Sequence, residues 1–166
     1  MTYAIVSMAG AQPIADTSTT AKHPLGQTVE GVDPVYGKGK FVYALGVTGT
    51  EVGMLCKYNA TTYQTALAVA GDKNTGVPFG VAMSANVGSQ YGWYQIQGNA
   101  VIKKTTVAVT PQVRIFLSGT SGRIKVLASA GQQILGATTA NLTTVVTTTS
   151  TVVVTINAPC AQSQIT

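Results

Sequence analysis

The sequence predicts an all-β protein: a single β-sandwich or barrel-like domain of about ten short strands, preceded by an extended N-terminal arm. Three observations lead there. Thr (25 residues), Val and Ile dominate, and branching at Cβ restricts χ1 in a helix but suits a pleated surface. Charged residues make up only 9% of the 166 residues, whereas helical bundles are rich in Glu and Lys. From Lys40 onward, apolar segments recur between turn signals at a spacing of roughly 8–12 residues, the rhythm of a sandwich or barrel. With 45% apolar residues the chain is long enough to build one core, and the composition is not that of a disordered chain.

Along the chain, Tyr3–Met8 reads as a first strand. Residues 9–39 then carry Pro13, Pro24 and Pro34 and a polar run from Asp16 to Thr20, with no sustained period. A stretch of that length without structure is uncommon inside a compact domain. Residues 1–35 are therefore expected to be an arm laid on a neighbouring subunit, and residues 36–166 the β domain. Phe41, Tyr43, Leu45 and Val47 alternate. Met54–Lys57, Tyr63–Val69 and Phe79–Met83 follow, with the turn cluster Gly71–Gly76 before the last of them. Gly92–Gln97 and Ala100–Val109 read as a hairpin about Gly98-Asn99, a pair suited to positive φ. Val113–Leu117 and Arg123–Leu127 read as a second hairpin across Ser118–Gly122. Gln133–Leu135, Leu142–Val146 and Thr151–Ile156 close the chain. The Thr/Val-rich run from Thr143 to Thr155 is a strong β former that must pair, within the chain or with another subunit.

Charge is distributed unevenly. Residues 1–72 hold four lysines and all five acids, a net of −1, while residues 73–166 hold Lys73, Lys103, Lys104, Arg114, Arg123 and Lys125 and no acid. Such asymmetry marks a surface for nucleic acid or an acidic partner, or simply scattered solubilising charge. No apolar run reaches the roughly 18 residues of a membrane helix, so no membrane partner is expected. Tyr3–Met8 with Ala9, Gly10 and Ala11 imitates a signal peptide but has no basic residue ahead of it.

Catalytic patterns do not emerge. His23, the single histidine, sits in a Pro-containing segment with no nucleophile elbow elsewhere to serve. The five acids form no recognisable pair for glycoside hydrolysis. Gly37-Lys38-Gly39-Lys40 leads into a strand, whereas a phosphate loop leads into a helix. Cys56 and Cys160 form no metal motif and read as two buried thiols in preference to a disulfide. The expectation is a protein that is not an enzyme and holds no cofactor or metal. The aromatic cluster Tyr91–Gln97 has two readings: a stacking surface beside Lys103 and Lys104, or a core strand with Tyr94 inside and Trp93 at a subunit contact.

Several longer words remain. Ile5-Val6-Ser7-Met8-Ala9-Gly10-Ala11-Gln12-Pro13-Ile14, His23-Pro24-Leu25-Gly26 and Val32-Asp33-Pro34-Val35-Tyr36-Gly37 with Phe41-Val42-Tyr43 form one set. Val81-Ala82-Met83-Ser84-Ala85-Asn86-Val87 and Gln90-Tyr91-Gly92-Trp93-Tyr94-Gln95-Ile96 form another. Together they resemble the capsid decoration (cement) proteins of tailed bacteriophages, over most of residues 3–100 and more weakly after Val109. The resemblance implies a virion structural protein, made in the host cytoplasm and bound outside the major capsid protein. Its partners would be that protein and itself, as a homotrimer, with no direct binding of nucleic acid. The capsid or subunit interface expected on this basis draws on Ile5, Val6, Pro13 and Ile14 of the arm, and on Trp93 and Tyr94. A head fibre, tail or baseplate subunit is the alternative within the virion. A nucleic-acid or glycan-binding β module using Trp93 and the basic half is the alternative of another class.

Overall fold

The computed structural model describes residues 1–86 and 88–164. Val87, the last residue of one of the words above, and positions 165–166 of the expected β domain lie outside the described residues. The chain is all-β, with eleven strands among the described residues: β1 (Ala4–Ile5), β2 (Thr28–Asp33), β3 (Gly37–Leu45), β4 (Leu55–Tyr58), β5 (Thr65–Leu67), β6 (Phe79–Ala82), β7 (Tyr91–Lys103), β8 (Arg114–Leu117), β9 (Ile124–Lys125), β10 (Gln133–Thr139) and β11 (Thr151–Ala161). A 3-10 turn, Ala70–Asp72, separates β5 from β6. The strands pair antiparallel in the order β1-β2-β3-β7-β11-β10-β8-β9, and β4, β5 and β6 branch from β7 through β6. The path does not close on itself, so β1 and β9 are its two ends.

β7 organises the domain. Tyr91–Gly98 pairs with β3, Gln97–Lys103 pairs with β11, and Tyr94 and Gln95 also meet β6. Both faces of the β3–β7 pair are buried, as in sheets covered on two sides. Phe41, Tyr43 and Trp93 join Tyr3, Ile14, Val29 and Met83 in one cluster, while Val42, Ala44 and Tyr94 join Cys56 and Ala82 in another. The largest core lies further along, where Ala100 and Ile102 of β7 meet Ile115, Leu117, Ile124, Ile134, Val152 and Val154.

The N-terminal segment does not stand apart from this core. β1 pairs with β2, and β2 pairs with β3 along its whole length, so a boundary at residue 35 would cut a β-hairpin. Tyr3 and Ile14 are buried against the chain's own sheet. Gln12 is the knot: its carbonyl accepts from Trp93 Nε1 at 2.9 Å, its Oε1 accepts from Tyr43 Oη at 3.0 Å, and its amide N–H donates to His23 Nε2 at 3.0 Å. The segment is irregular because its partners are scattered single contacts, each satisfied without a repeating ladder.

Two further expectations are redrawn. Gly98-Asn99 does not turn the chain. β7 runs through it, because β3 on one side and β11 on the other both offer hydrogen-bonding edges. Positive φ at Gly98 (+98°) instead lets the Lys38 carbonyl approach, at a point where a Cβ would lie 2.3 Å from its oxygen. Leu142–Val146 is not a strand; only Val145 bridges, to Val109. The hairpin across Ser118–Gly122 forms as expected, with Phe116 opposite Lys125 and Leu117 opposite Ile124.

Asp33 closes the β2–β3 hairpin. Its Oδ1 accepts from the amides of Val35 (2.8 Å) and Tyr36 (3.0 Å), and its Oδ2 accepts from that of Thr2. Burial pushes this carboxyl up, but the three amide donors outweigh it and hold it below the usual carboxylate range. The charged form is thus favoured by folding. Its stabilisation is complete above the unfolded-state pKa of about 4 and is lost as pH falls through the lower folded value. Asp33→Asn is expected to lower stability at pH 7 and to flatten the loss of stability below pH 4. Urea midpoints measured from pH 7 to pH 2.5 check this; parallel profiles for the two proteins would contradict it.

Candidate functional site

The residues expected at an interface divide sharply. Trp93, Tyr94 and Ile14 are 0%, 1% and 3% exposed. Trp93 is enclosed by Tyr43 (ring centroids 4.9 Å apart) and His23 (5.3 Å), and Tyr94 Oη lies between Thr65 Oγ1 and the Asn86 side chain. These three side chains build the interior and cannot touch a partner. That also removes the aromatic platform on which a Trp93-centred glycan or nucleic-acid site would depend. Ile5 is half-buried, whereas Val6 and Pro13 are exposed.

Val6 belongs to a larger feature. Among the described residues β1 pairs only with β2, so its outer edge is open. Ala4 lies opposite Val32, and the Val6 amide donates to the Glu30 carbonyl. Alternation along β2 turns Val29, Gly31 and Asp33 inward and Thr28, Glu30 and Val32 outward. Ala4, Val6 and Val32 are therefore exposed at one end of the sheet, with Val35 (80% exposed) in the adjoining turn. A β edge with apolar neighbours is a template for pairing with another chain. Val32 and Val35 escaped the sequence reading because β2 alternates through Gly31 and Asp33, which carry little apolar signal.

The cations of the second half are far from equivalent. Lys103 pairs with Glu51, and that contact draws the Glu51 carboxyl below its ordinary value. Lys104 is 1% exposed; its Nζ donates to the carbonyls of Val107 (2.8 Å), Val146 (3.1 Å) and Thr105 (3.3 Å), and burial pulls its pKa down. Arg123 donates to the Lys104 carbonyl at 3.1 Å. Half of the basic set thus holds the domain together.

The acids and thiols are similarly engaged. Asp72 accepts from Lys57 Nζ and, through Oδ2, from the Val69 amide at 2.9 Å. Cys56 and Cys160 are both free; Cys56 is buried, its thiol pushed up to about 12 by burial, while Cys160 is half-buried. His23 accepts a hydrogen bond from Gln12 and packs edge-on against Tyr43. Gly37–Lys40 opens β3, as its sequence indicates. Among the described residues no group of three or more His, Cys, Asp or Glu could hold a metal ion, and no helix is long and apolar enough to cross a membrane.

Two of the surface depressions bear on function. One, of about 500 Å³, lies beside β4 and β5 and has the Lys57–Asp72 pair in its wall. The other, of about 840 Å³, lies over β8 and β10. Comparison with known proteins adds nothing to this geometry: no family model, no curated protein and no solved structure matches the chain.

Proposed function

We propose that this chain is a virion structural protein, a capsid decoration protein of a tailed bacteriophage that binds the outside of the major capsid protein and stabilises the head. The observation that carries the reading is the free β1 edge with its apolar neighbours Val6, Val32 and Val35. The inner side of the same segment, Tyr3 and Ile5, packs into the core, which holds the edge in place and leaves its outer side for a partner. Such an edge takes up a neighbouring chain, and repetition around a three-fold site joins several weak contacts into strong attachment. The word resemblance in residues 3–100 supplies the virion setting, and a homotrimer is the assembly proposed. A head fibre, tail or baseplate subunit would use the same edge.

Binding to the assembled shell and not to dissociated shell protein stabilises the shell by linkage. Capsids lacking the protein are expected to release DNA at a lower temperature, and replenishment to restore the difference. Moderate salt should change the restoration little, because Lys103, Lys104 and Arg123 are already engaged internally and apolar burial is not screened. Identical release temperatures with and without the protein would refute the cement role.

A further inference from the structure

We propose that the groove over β8 and β10 binds an acidic saccharide chain. The sheet register builds its floor. On β8 the inward residues are Ile115 and Leu117, so Arg114 and Phe116 face outward. Phe116 lies opposite Gln133 of β10 on one side and Lys125 of β9 on the other. Directly opposite residues on one face bring their side chains within reach of each other. Arg114, Phe116 and Gln133, a cation, an aromatic ring and an amide, therefore share the outward face of β8 and β10 and line the groove. Lys73, Asn74 and Gln162 complete the walls of a groove whose volume suits a bound chain of small units.

Its charge is uncompensated. Among the described residues no carboxylate lines the groove. Asp72, next to Lys73 in the chain, is occupied by Lys57 and the Val69 amide. The side chains of Lys73 and Arg114 have no hydrogen-bonding or ionic partner among the described residues, and Lys125 is held only by Ser129 Oγ at 2.8 Å. Lys73 and Arg114 are thus the two cations of the basic half that the fold leaves without a side-chain partner among the described residues, and the topology brings both to the groove. An anionic ligand is what such a site attracts.

The class of anion follows from the remaining groups. The backbone here is already paired: Leu117 N–H donates to Gln132, Asn74 N–H to Gly131 and Gln162 N–H to Gln133. An extended acidic peptide would find little main chain to pair with, and that pairing is what gives strand-addition its affinity. A single half-buried Phe116 is not the series of aromatic platforms on which nucleic-acid bases stack. Side-chain amides, which both donate and accept, match sugar hydroxyls. Arg and Lys match the carboxylates of uronic acids. The inference concerns a second surface, and its test does not depend on where the protein sits in a virion.

The full chain is titrated calorimetrically at low salt with a galacturonate hexamer. Maltohexaose, a twelve-residue oligothymidylate and hexaglutamate serve as comparisons. Saturable binding of the galacturonate, tighter than about 1 mM, is expected, with weaker or no binding of the other three. R114Q and K73Q, both at exposed positions, should each weaken it about tenfold, and K38Q, on β3, should leave it unchanged. Amide shifts at Phe116 and Gln133 locate the ligand independently of affinity. No binding of galacturonate, equal binding by R114Q and K73Q, or tighter binding of the oligothymidylate or the peptide would each overturn the assignment.

Discussion

Deleting residues 1–14 is expected to destabilise the domain by about 5 kcal/mol, a large share of what a domain of this kind possesses. The segment contributes two buried side chains. Tyr3 sits edge-on to Phe41 with ring centroids 4.9 Å apart and donates from its hydroxyl to the Asn99 carbonyl at 2.8 Å; Ile14 is 3% exposed in the same cluster. Each such side chain is worth about 1.5–3 kcal/mol when buried. Loss of Gln12 then leaves the Trp93 indole N–H and the Tyr43 hydroxyl without their acceptors. Urea unfolding checks the magnitude, and the emission of Trp93, the single tryptophan, checks the cause. The truncated protein, where it still folds, should emit to the red of the intact one. An unchanged midpoint and unchanged emission would make the segment an appendage, as its sequence suggests.

Gly98→Ala is the second severe change. At φ +98° the alanine Cβ would be placed 2.3 Å from the Lys38 carbonyl oxygen, and backbone on both sides prevents retreat: Gly98 is paired with Gly39 of β3 and with Ile156 of β11. The expected cost is about 3 kcal/mol, from the left-handed conformation together with a displaced strand. Gly37→Ala is the control. Gly37 also has positive φ (+75°), but nothing lies within 4 Å of where its Cβ would be. It should cost about 1 kcal/mol, the conformational part alone. Equal losses in the two variants would mean that the close approach at Gly98 contributes nothing.

These two sites also show what was legible in the sequence. Gly98 is readable as a residue that needs positive φ, but a turn and a close approach require the same thing. The choice between them rests on β11, more than fifty residues downstream. The hairpin at Phe116 and Lys125 was legible because its partners lie within one local unit. β2 was not, since Gly31 and Asp33 occupy its inward positions beside Val29 and blunt the alternation. Trp93 in an aromatic run reads equally as surface platform or core. Its enclosure comes from Gln12 and His23, in a stretch with no period of its own. Lys103 and Lys104 look like one basic doublet, yet adjacent strand residues point to opposite faces. One therefore meets Glu51, while the other enters a ring of carbonyls. The groove was invisible for a related reason: Lys73 and Arg114 come to line one depression only when β8 and β10 are laid beside the Asn74 turn.

The position of β11 bears on how the chain reaches this state during synthesis. It is the last of the described strands, yet it lies between β7 and β10, so their ladders to it cannot form until Thr151–Ala161 has been made. Until then Gln97–Lys103 presents an unpaired edge, and β8, β9 and β10 are held to the strands made before them by scattered contacts without a ladder, such as Thr105 N–H to the Ile124 carbonyl and Leu55 N–H to the Gly122 carbonyl. The strand that finally fills the gap contains Val152-Val153-Val154, which would pair as readily with the open edge of another nascent copy. Few charges flank it to discourage that exchange, so crowded polysomes expose this fold to swapping. The interval between the birth of β7 and the arrival of β11 is its most vulnerable period.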